Sequence, residues 1–283
     1  MLYYKNCSDV LLEDVVKAFN AGFQDYIIKL EMTLDLLKSR FLFVEDNNLE
    51  FSFIAYADNE PIGLILGGIE TFEGIKSLRC GALCIHPNYR GLGVAQKLFE
   101  LHKEVGIKAG VNRLILEVIK GNDRAISFYL KQGYKIWTEL MYYSLSNPMD
   151  LDVVKKDAFE IKSIDLDTIE SIHKNEVKKH LHWQNSFDYI RRLNVSQNIG
   201  LYHDGTIIGV TSYVPNGKLF YLWIHPKFDN LNLEKLLLKT IAIEHQLQKV
   251  SITFPSDESF IKKLESIGFT KDSIGQFEMD FWF

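Results

Sequence analysis

The chain has 283 residues, of which 47% are apolar and 24% charged, a globular balance with enough apolar side chains for two cores of ordinary size. Its net charge of −5 is spread over both halves; no Lys/Arg block marks a nucleic-acid footprint, so the expected partner is a small molecule or a peptide end. Cys7, Cys80 and Cys84 are too few and wrongly spaced for a disulfide framework or zinc knuckle, and with no membrane-length apolar run and no signal-peptide pattern they predict a cytoplasmic protein with free thiols.

In chain order, Asp9 to Asn20 carries apolar residues at Val10, Leu11, Val15, Ala18 and Phe19, a helical spacing. Phe51 to Tyr56 and Ile62 to Ile69 are strands on either side of an Asp58-Asn59 turn, whose residues tolerate left-handed backbone angles. Gly67-Gly68 inside the second strand predicts a bulge. Leu78 to Ile85 is a third strand, stopped by Pro87. Val94, Leu98, Leu101, Val105 and Ala109 line one face of a helix, and the apolar run Leu114 to Ile119 is a central strand. A helix capped by Asn122 or Asp123 runs to Gln132 and ends at Gly133, and Trp137 to Leu145 closes the unit as a strand.

The same run of elements then recurs. Leu83-Cys84-Ile85-His86-Pro87 returns as Leu222-Trp223-Ile224-His225-Pro226, flanked in the same order by Asp204 to Gly209, which resembles Asp58 to Gly63, and by Glu265 to Phe269, which resembles Leu130 to Tyr134. Three matching fragments in one order indicate a tandem duplication. The second copy reads as strands at 201–203, 207–214 and 219–224, a helix at 231–246, a strand at 250–254, a helix at 259–266 and a last strand at 277–283. Two α+β domains follow, at 1–145 and 155–283, joined by a polar, proline-bearing linker at 146–154.

Between Pro87 and the helix that begins at Val94 lies Asn88-Tyr89-Arg90-Gly91-Leu92-Gly93-Val94-Ala95. Gly91 and Gly93 let the backbone approach a bound group closely. The amides at a helix start lack acceptors and carry the positive end of its dipole, so they form a nest for phosphate oxygens, with Arg90 as a cationic fork beside it. The physical expectation is a diphosphate site at the start of this helix.

This stretch resembles motif A of the GNAT acetyltransferase superfamily, Gln/Arg-x-x-Gly-x-Gly/Ala, through Arg90, Gly93 and Ala95. Asn122 to Tyr134 resembles a second family pattern, Asn-x-x-Ala-x-x-x-Tyr-x-x-x-Gly-Phe, with Tyr in the last place. The resemblance implies two tandem GNAT folds with mixed sheets and an N-acetyltransferase that moves an acetyl group from acetyl-CoA to a primary amine of a small molecule or peptide. It further implies that Leu83, Cys84 and Ile85 bind the pantetheine arm like an added strand. The amides of Arg90, Gly91, Leu92, Gly93, Val94 and Ala95 hold the pyrophosphate, Asn122 contacts the cofactor, and Tyr129 is the general acid. An amide near Cys84 polarises the thioester carbonyl. By family position, Phe23, Gln24, Asp25 and Tyr26 shape the acceptor pocket.

The strand before the glycine loop has no carboxylate, so Glu70, with Glu73, is the nearest candidate base; a terminal carboxylate at Phe283 is a more distant one. His86 recurs as His225 without the glycine loop and reads as strand-end structure, and Cys84 reads as a small buried residue. His173, His180 and His182 lack a Cys or acidic partner set for a metal, and His180 to Trp183 reads as an exposed helix end. In the second copy Asp229, Asn232 and Glu234 replace Arg90, Gly93 and Ala95, which would repel a diphosphate. That copy is expected to pack on the first, complete the acceptor pocket or form a homodimer surface. The rival to an enzyme is a non-catalytic acyl-CoA-binding regulator.

Overall fold

The computed structural model describes residues 1–154 and 158–283, so the boundary expected at residue 155 lies outside the described residues. The chain divides into two compact units, one formed by Met1–Val118, Asn122–Trp137 and Glu278–Phe283, the other by Ile119–Gly121 and Thr138–Phe277.

The first unit contains β1 (Leu2–Asn6), α1 (Leu12–Phe23), α2 (Leu34–Leu36) continuing as a π-helical stretch (Leu37–Val44), β2 (Asn48–Ala57), β3 (Glu60–Phe72) and β4 (Ile75–Ile85). It continues with α3 (Val94–Lys108), β5 (Arg113–Ile119), α4 (Asp123–Lys131) and the start of β6 (Lys135–Ser146), and takes in most of the last strand, β13 (Gln276–Trp282). Its strand order is β1-β2-β3-β4-β5-β13. The first four strands form an antiparallel meander, and β4 and β5 are parallel. The β2–β3 turn uses positive φ at Asp58 and Asn59, as their residue types predict. Val15, Ala18 and Phe19 of α1 pack with Ile54, Leu64 and Leu66 of the sheet, while α3 buries Val94, Leu98 and Phe99.

The β3–β4 ladder slips by one residue: Leu66 faces Ala82 and Gly67 faces Cys80, leaving Gly81 as the extra residue. The bulge expected from Gly67-Gly68 is therefore present, but its extra residue is on the facing strand. A Cβ at Gly81 would lie 2.0 Å from Asn47 Oδ1, so no larger residue fits there unless Asn47 moves. The bulge bends β4, and its parallel ladder with β5, which runs from Ser77↔Arg113 to Cys80↔Leu116, ends at that point. Beyond Cys80 the two strands splay apart.

The second unit repeats the device. It holds β7 (Glu160–Ser163), α5 (Leu166–Ile172), α6 (Phe187–Arg192), β8 (Gln197–His203), β9 (Thr206–Tyr213), β10 (Lys218–Ile224), α7 (Leu233–His245), β11 (Lys249–Pro255), α8 (Glu258–Ile267) and β12 (Thr270–Lys271). Its strand order is β6-β11-β10-β9-β8-β7, with β12 on β6. A register slip makes Phe220 the extra residue of β10, and the β10–β11 ladder stops after Leu219↔Ile252. The offset that relates His86 to His225 also relates Gly81 to Phe220.

Three expectations are corrected. The strand expected to close the first copy belongs from Thr138 onward to the second unit, where it pairs with β11 from Leu140↔Pro255 to Ser146↔Lys249, while Glu278–Phe283 joins the first unit. Periodicity identifies both strands but not which neighbour each one takes. The expected linker is not free: Met149, Leu151, Val153 and Val154 pack on the second core, and Lys239 Nζ donates to Leu151 O at 2.8 Å. His180 to Trp183 is not an exposed helix end, because His182 and Trp183 are 0% and 1% exposed; the indole is too large an apolar surface to leave in water.

The exchanged strand completes the first core. Arg113, 1% exposed, lies among Phe72, Trp137 and Trp282 at 5.8, 5.2 and 5.4 Å from the ring centroids, and its Nε donates to Ser77 Oγ at 3.1 Å. Phe281 covers Tyr134 and the Gly133 turn. A fragment of residues 1–145 loses Trp282 and Phe281 and leaves the buried guanidinium without one of its three rings. It is expected to unfold without a cooperative transition, and a peptide of residues 276–283 added in trans should restore one, as followed by circular dichroism on heating. A fragment that melts cooperatively without the peptide would contradict this.

Candidate active site

At the end of β4 the chain makes a 3₁₀ turn (Pro87–Tyr89) and enters α3 through Gly91 and Gly93, whose φ values are +79° and +82°. Both angles favour glycine, and nothing lies within 4 Å of where a Cβ would stand at either, so the space above the loop is open. Among the described residues, the backbone N–H groups of Gly91 to Gln96 find no acceptor; hydrogen bonding resumes with Lys97 N donating to Gly93 O at 3.0 Å. Six consecutive orphan donors at a helix N-terminus form the anion nest that the glycine spacing predicts. His86 shapes the entry, its Nδ1 accepting from Asn88 N at 3.2 Å, and His225 does the same for Lys227 N. Both are strand-end structure.

The Arg90 side chain does not stand free beside this nest. Its Nε donates to Ile85 O at 2.8 Å, and its Nη2 donates to Gly22 O at 3.1 Å and to Asp25 Oδ1 at 2.6 Å. That fork holds the Asp25 carboxyl below the usual carboxylate range. The guanidinium therefore ties the loop after α1 to the end of β4, with its charge already matched. The expectation that it serves as a cationic fork for phosphate is corrected to this positioning role; the six amides remain.

Leu83, Cys84 and Ile85 lie on β4 past the last rung shared with β5, paired on their other side with Ile65, Leu64 and Gly63. Cys84 turns its thiol toward the Ala18 and Phe19 carbonyls, and burial pushes its pKa up to about 12, which fits a packing residue and not a nucleophile. Cys80 is raised to about 12 in the same way. At the point where the strands part, Tyr129 of α4 sets its hydroxyl 4.0 Å from Cys80 Sγ. Burial raises this phenol well above its ordinary value, so it carries its proton throughout the neutral range.

Asn122 caps α4, accepting from Ala125 N at 3.3 Å, and its side chain lies near enough to the Tyr26 hydroxyl to offset part of the rise that burial gives that phenol's pKa. Tyr26 packs edge-on against Phe23 at 4.9 Å, and Phe23 against Phe19 at 4.5 Å. The residues expected to line an acceptor pocket and those expected to bind a cofactor thus meet across Tyr26 and Asn122. Glu70 is not brought to this group. It faces Ser77, in the part of β4 still laddered to β5, about 10 Å along the strand before the splay begins. Glu73 sits in the hairpin turn beyond it. Phe283 donates its amide to Asn112 O, ahead of the start of β5, and is likewise at the closed end of the ladder.

Gly81, Cys80 and Glu117, the carboxylate one place past the last residue of β5 that is laddered to β4, were not singled out by the sequence. A glycine inside an apolar strand was the available signal for Gly81. Among the described residues, no group of three or more His, Cys, Asp or Glu side chains converges to hold a metal ion, and no helix is long and apolar enough to cross a membrane.

Residues 12–134 match the model of the acetyltransferase (GNAT) family. N-alpha-acetyltransferase 30 of Schizosaccharomyces pombe is 32% identical over 99 residues, a match spanning 34% of this chain and 65% of that protein. Among solved structures, a tandem GNAT protein from the clavulanic acid biosynthesis pathway covers 100% of this chain and 98% of its own, with a TM-score of 0.72 at 14% identity. A putative acetyltransferase from Pyrococcus horikoshii covers 100% and 89%, with a TM-score of 0.65 at 14% identity. The glycine loop, the splayed strands and the capped α4 all lie inside the segment that matches the GNAT acetyltransferase family, and the whole length of the chain has the fold of a tandem GNAT protein.

Proposed function

We propose that the first unit is an acetyl-CoA-dependent N-acetyltransferase acting on a primary amine. The observation that carries this reading is the run of six orphan amides, Gly91 to Gln96, at the open end of the β4–β5 splay. Such a nest is costly to leave dry and is suited to a pyrophosphate. The β4 edge from Leu83 to Ile85 would align an extended amide-bearing arm, and Asn122 would meet that arm from the cap of α4. Acetyl-CoA, when bound, supplies an acetyl group already activated as a thioester.

Tyr129 holds a proton at its hydroxyl oxygen, at the apex of the splay, where a departing thiolate needs one. Phe23 and Tyr26, fixed by the Asp25–Arg90 tie, wall the acceptor side and keep water from the thioester. A backbone N–H near Cys84 would polarise the carbonyl. The acceptor amine enters unprotonated, and the proton its nitrogen sheds after attack passes through water to restore the one that Tyr129 gives to the thiolate. The likeness to N-alpha-acetyltransferase 30 supports including peptide N-termini among the amines to be tried.

Calorimetric titration with acetyl-CoA is expected to give one site per chain. Gly93→Val should weaken that site about tenfold or more, because a β-branched residue resists the φ of +82° and would turn the amides away. Tyr129→Phe should lower kcat by about a hundredfold or more with acetyl-CoA affinity within about twofold. An unchanged kcat would instead favour a regulator that binds the thioester without turning it over. In pH profiles, kcat/KM should rise as the acceptor amine loses its proton. It should show no basic limb from Tyr129 up to about pH 10, because burial keeps that phenol protonated there; a falling limb between pH 8 and 9 would assign the acid elsewhere.

A further inference from the structure

The second unit keeps the bulge and the splay but not the chemistry of the helix start. Beyond Leu219↔Ile252, β10 and β11 part around a cavity of about 400 Å³, a size typical of small-molecule sites. Leu264 stands where the first unit has Tyr129. Asn232 enters α7 with φ +50°, as Gly93 enters α3, but the position of Ala95 is held by Glu234, 5% exposed. The Glu234 carboxylate lies 3.4 Å from Lys263 Nζ. An anion is thus already built into the place where the first unit has its open nest.

The charges around the cavity do not balance. Lys263 also holds Asp229, at 2.9 Å, so one ammonium serves two carboxylates. Asp257 is matched by Lys179, while Glu176 pairs with His225 at 3.8 Å. The lining carries four carboxylates against two ammoniums and the imidazoles of His173 and His180, and the walls are the rings of Phe220, Tyr221, Trp223, Phe254 and Phe260. Two buried acceptors on lining residues, Glu234 Oε2 and Asn185 Oδ1, have no hydrogen-bond partner among the described residues. Burial raises the Glu234 pKa, as expected for a carboxylate whose counter-charge is incomplete. A phosphate here would meet repulsion from the surplus carboxylates. A cation would meet excess negative charge and aromatic faces.

We propose that this cleft is a binding site for a small organic cation, an arylalkyl primary ammonium, and that it takes no phosphorylated ligand. The test is calorimetric titration of the full chain, without acetyl-CoA, using tryptamine and, as its anionic counterpart, indole-3-acetate. Tryptamine should bind and indole-3-acetate should not. Asp229→Lys, at a side chain two-thirds exposed and so compatible with folding, should weaken tryptamine about tenfold or more. It should leave acetyl-CoA binding unchanged, which shows that the variant is folded, and Glu234→Gln should weaken tryptamine in the same direction. Tyr26→Ala, in the acceptor region of the first unit, should not weaken it. The proposal is overturned if tryptamine fails to bind at millimolar concentration, if Asp229→Lys binds it unchanged, if Tyr26→Ala is the variant that loses it, or if indole-3-acetate binds equally well.

Discussion

The early end of one parallel ladder is the constraint on which the rest of the first unit depends. Gly81 is inserted opposite Leu66 and Gly67, and the β4–β5 rungs stop at Cys80↔Leu116. Without that break, the edge from Leu83 to Ile85 would be paired with β5 and unavailable, since a backbone donor or acceptor in a ladder cannot also serve a ligand. The same break puts Tyr129 beside Cys80 at the point of parting and leaves the start of α3 at the open end. The chemistry is thus placed by an irregularity in the sheet, which fits the tendency of bulges to occur beside functional sites.

The second unit separates the scaffold from the chemistry. Phe220 replaces Gly81 as the extra residue and the strands still part, so the bulge does not require glycine; Asn47 Oδ1 is what leaves no room for a Cβ in the first unit. What changes is how the helix start is satisfied. In the first unit the six amides wait for an external anion, a local cost that a ligand repays on binding. In the second, Glu234 sits there permanently with Lys263. An internal carboxylate removes the need for a phosphate and at the same time forbids one.

Arg90 shows how a motif residue can be legible while its role is not. The motif spacing singles it out, yet its guanidinium is engaged by Asp25 and by the Gly22 and Ile85 carbonyls. Asp25 is half exposed, so the pair adds little to stability. Its effect is geometric: it fixes the loop that carries Phe23 and Tyr26, and Tyr26 in turn meets Asn122.

The sequence by itself determined what short-range physics encodes. Apolar periodicity placed α3, β5 and α8, turn chemistry placed the Asp58-Asn59 and Asp204-Gly205 hairpins, and residue type placed the Asn122 cap and the Gly133 stop. The glycine loop was legible because an anion nest needs particular residues at particular spacings. Tertiary structure alone decided the pairings. The strands at 138–146 and 276–282 both alternate, and nothing local distinguishes which sheet edge each one joins. The π-helical stretch Leu37–Val44 and the burial of Trp183 follow from packing and not from periodicity. Glu70 lies near the glycine loop in sequence but at the closed end of the ladder in space, because strand register, and not sequence separation, sets the distance from a residue to a site.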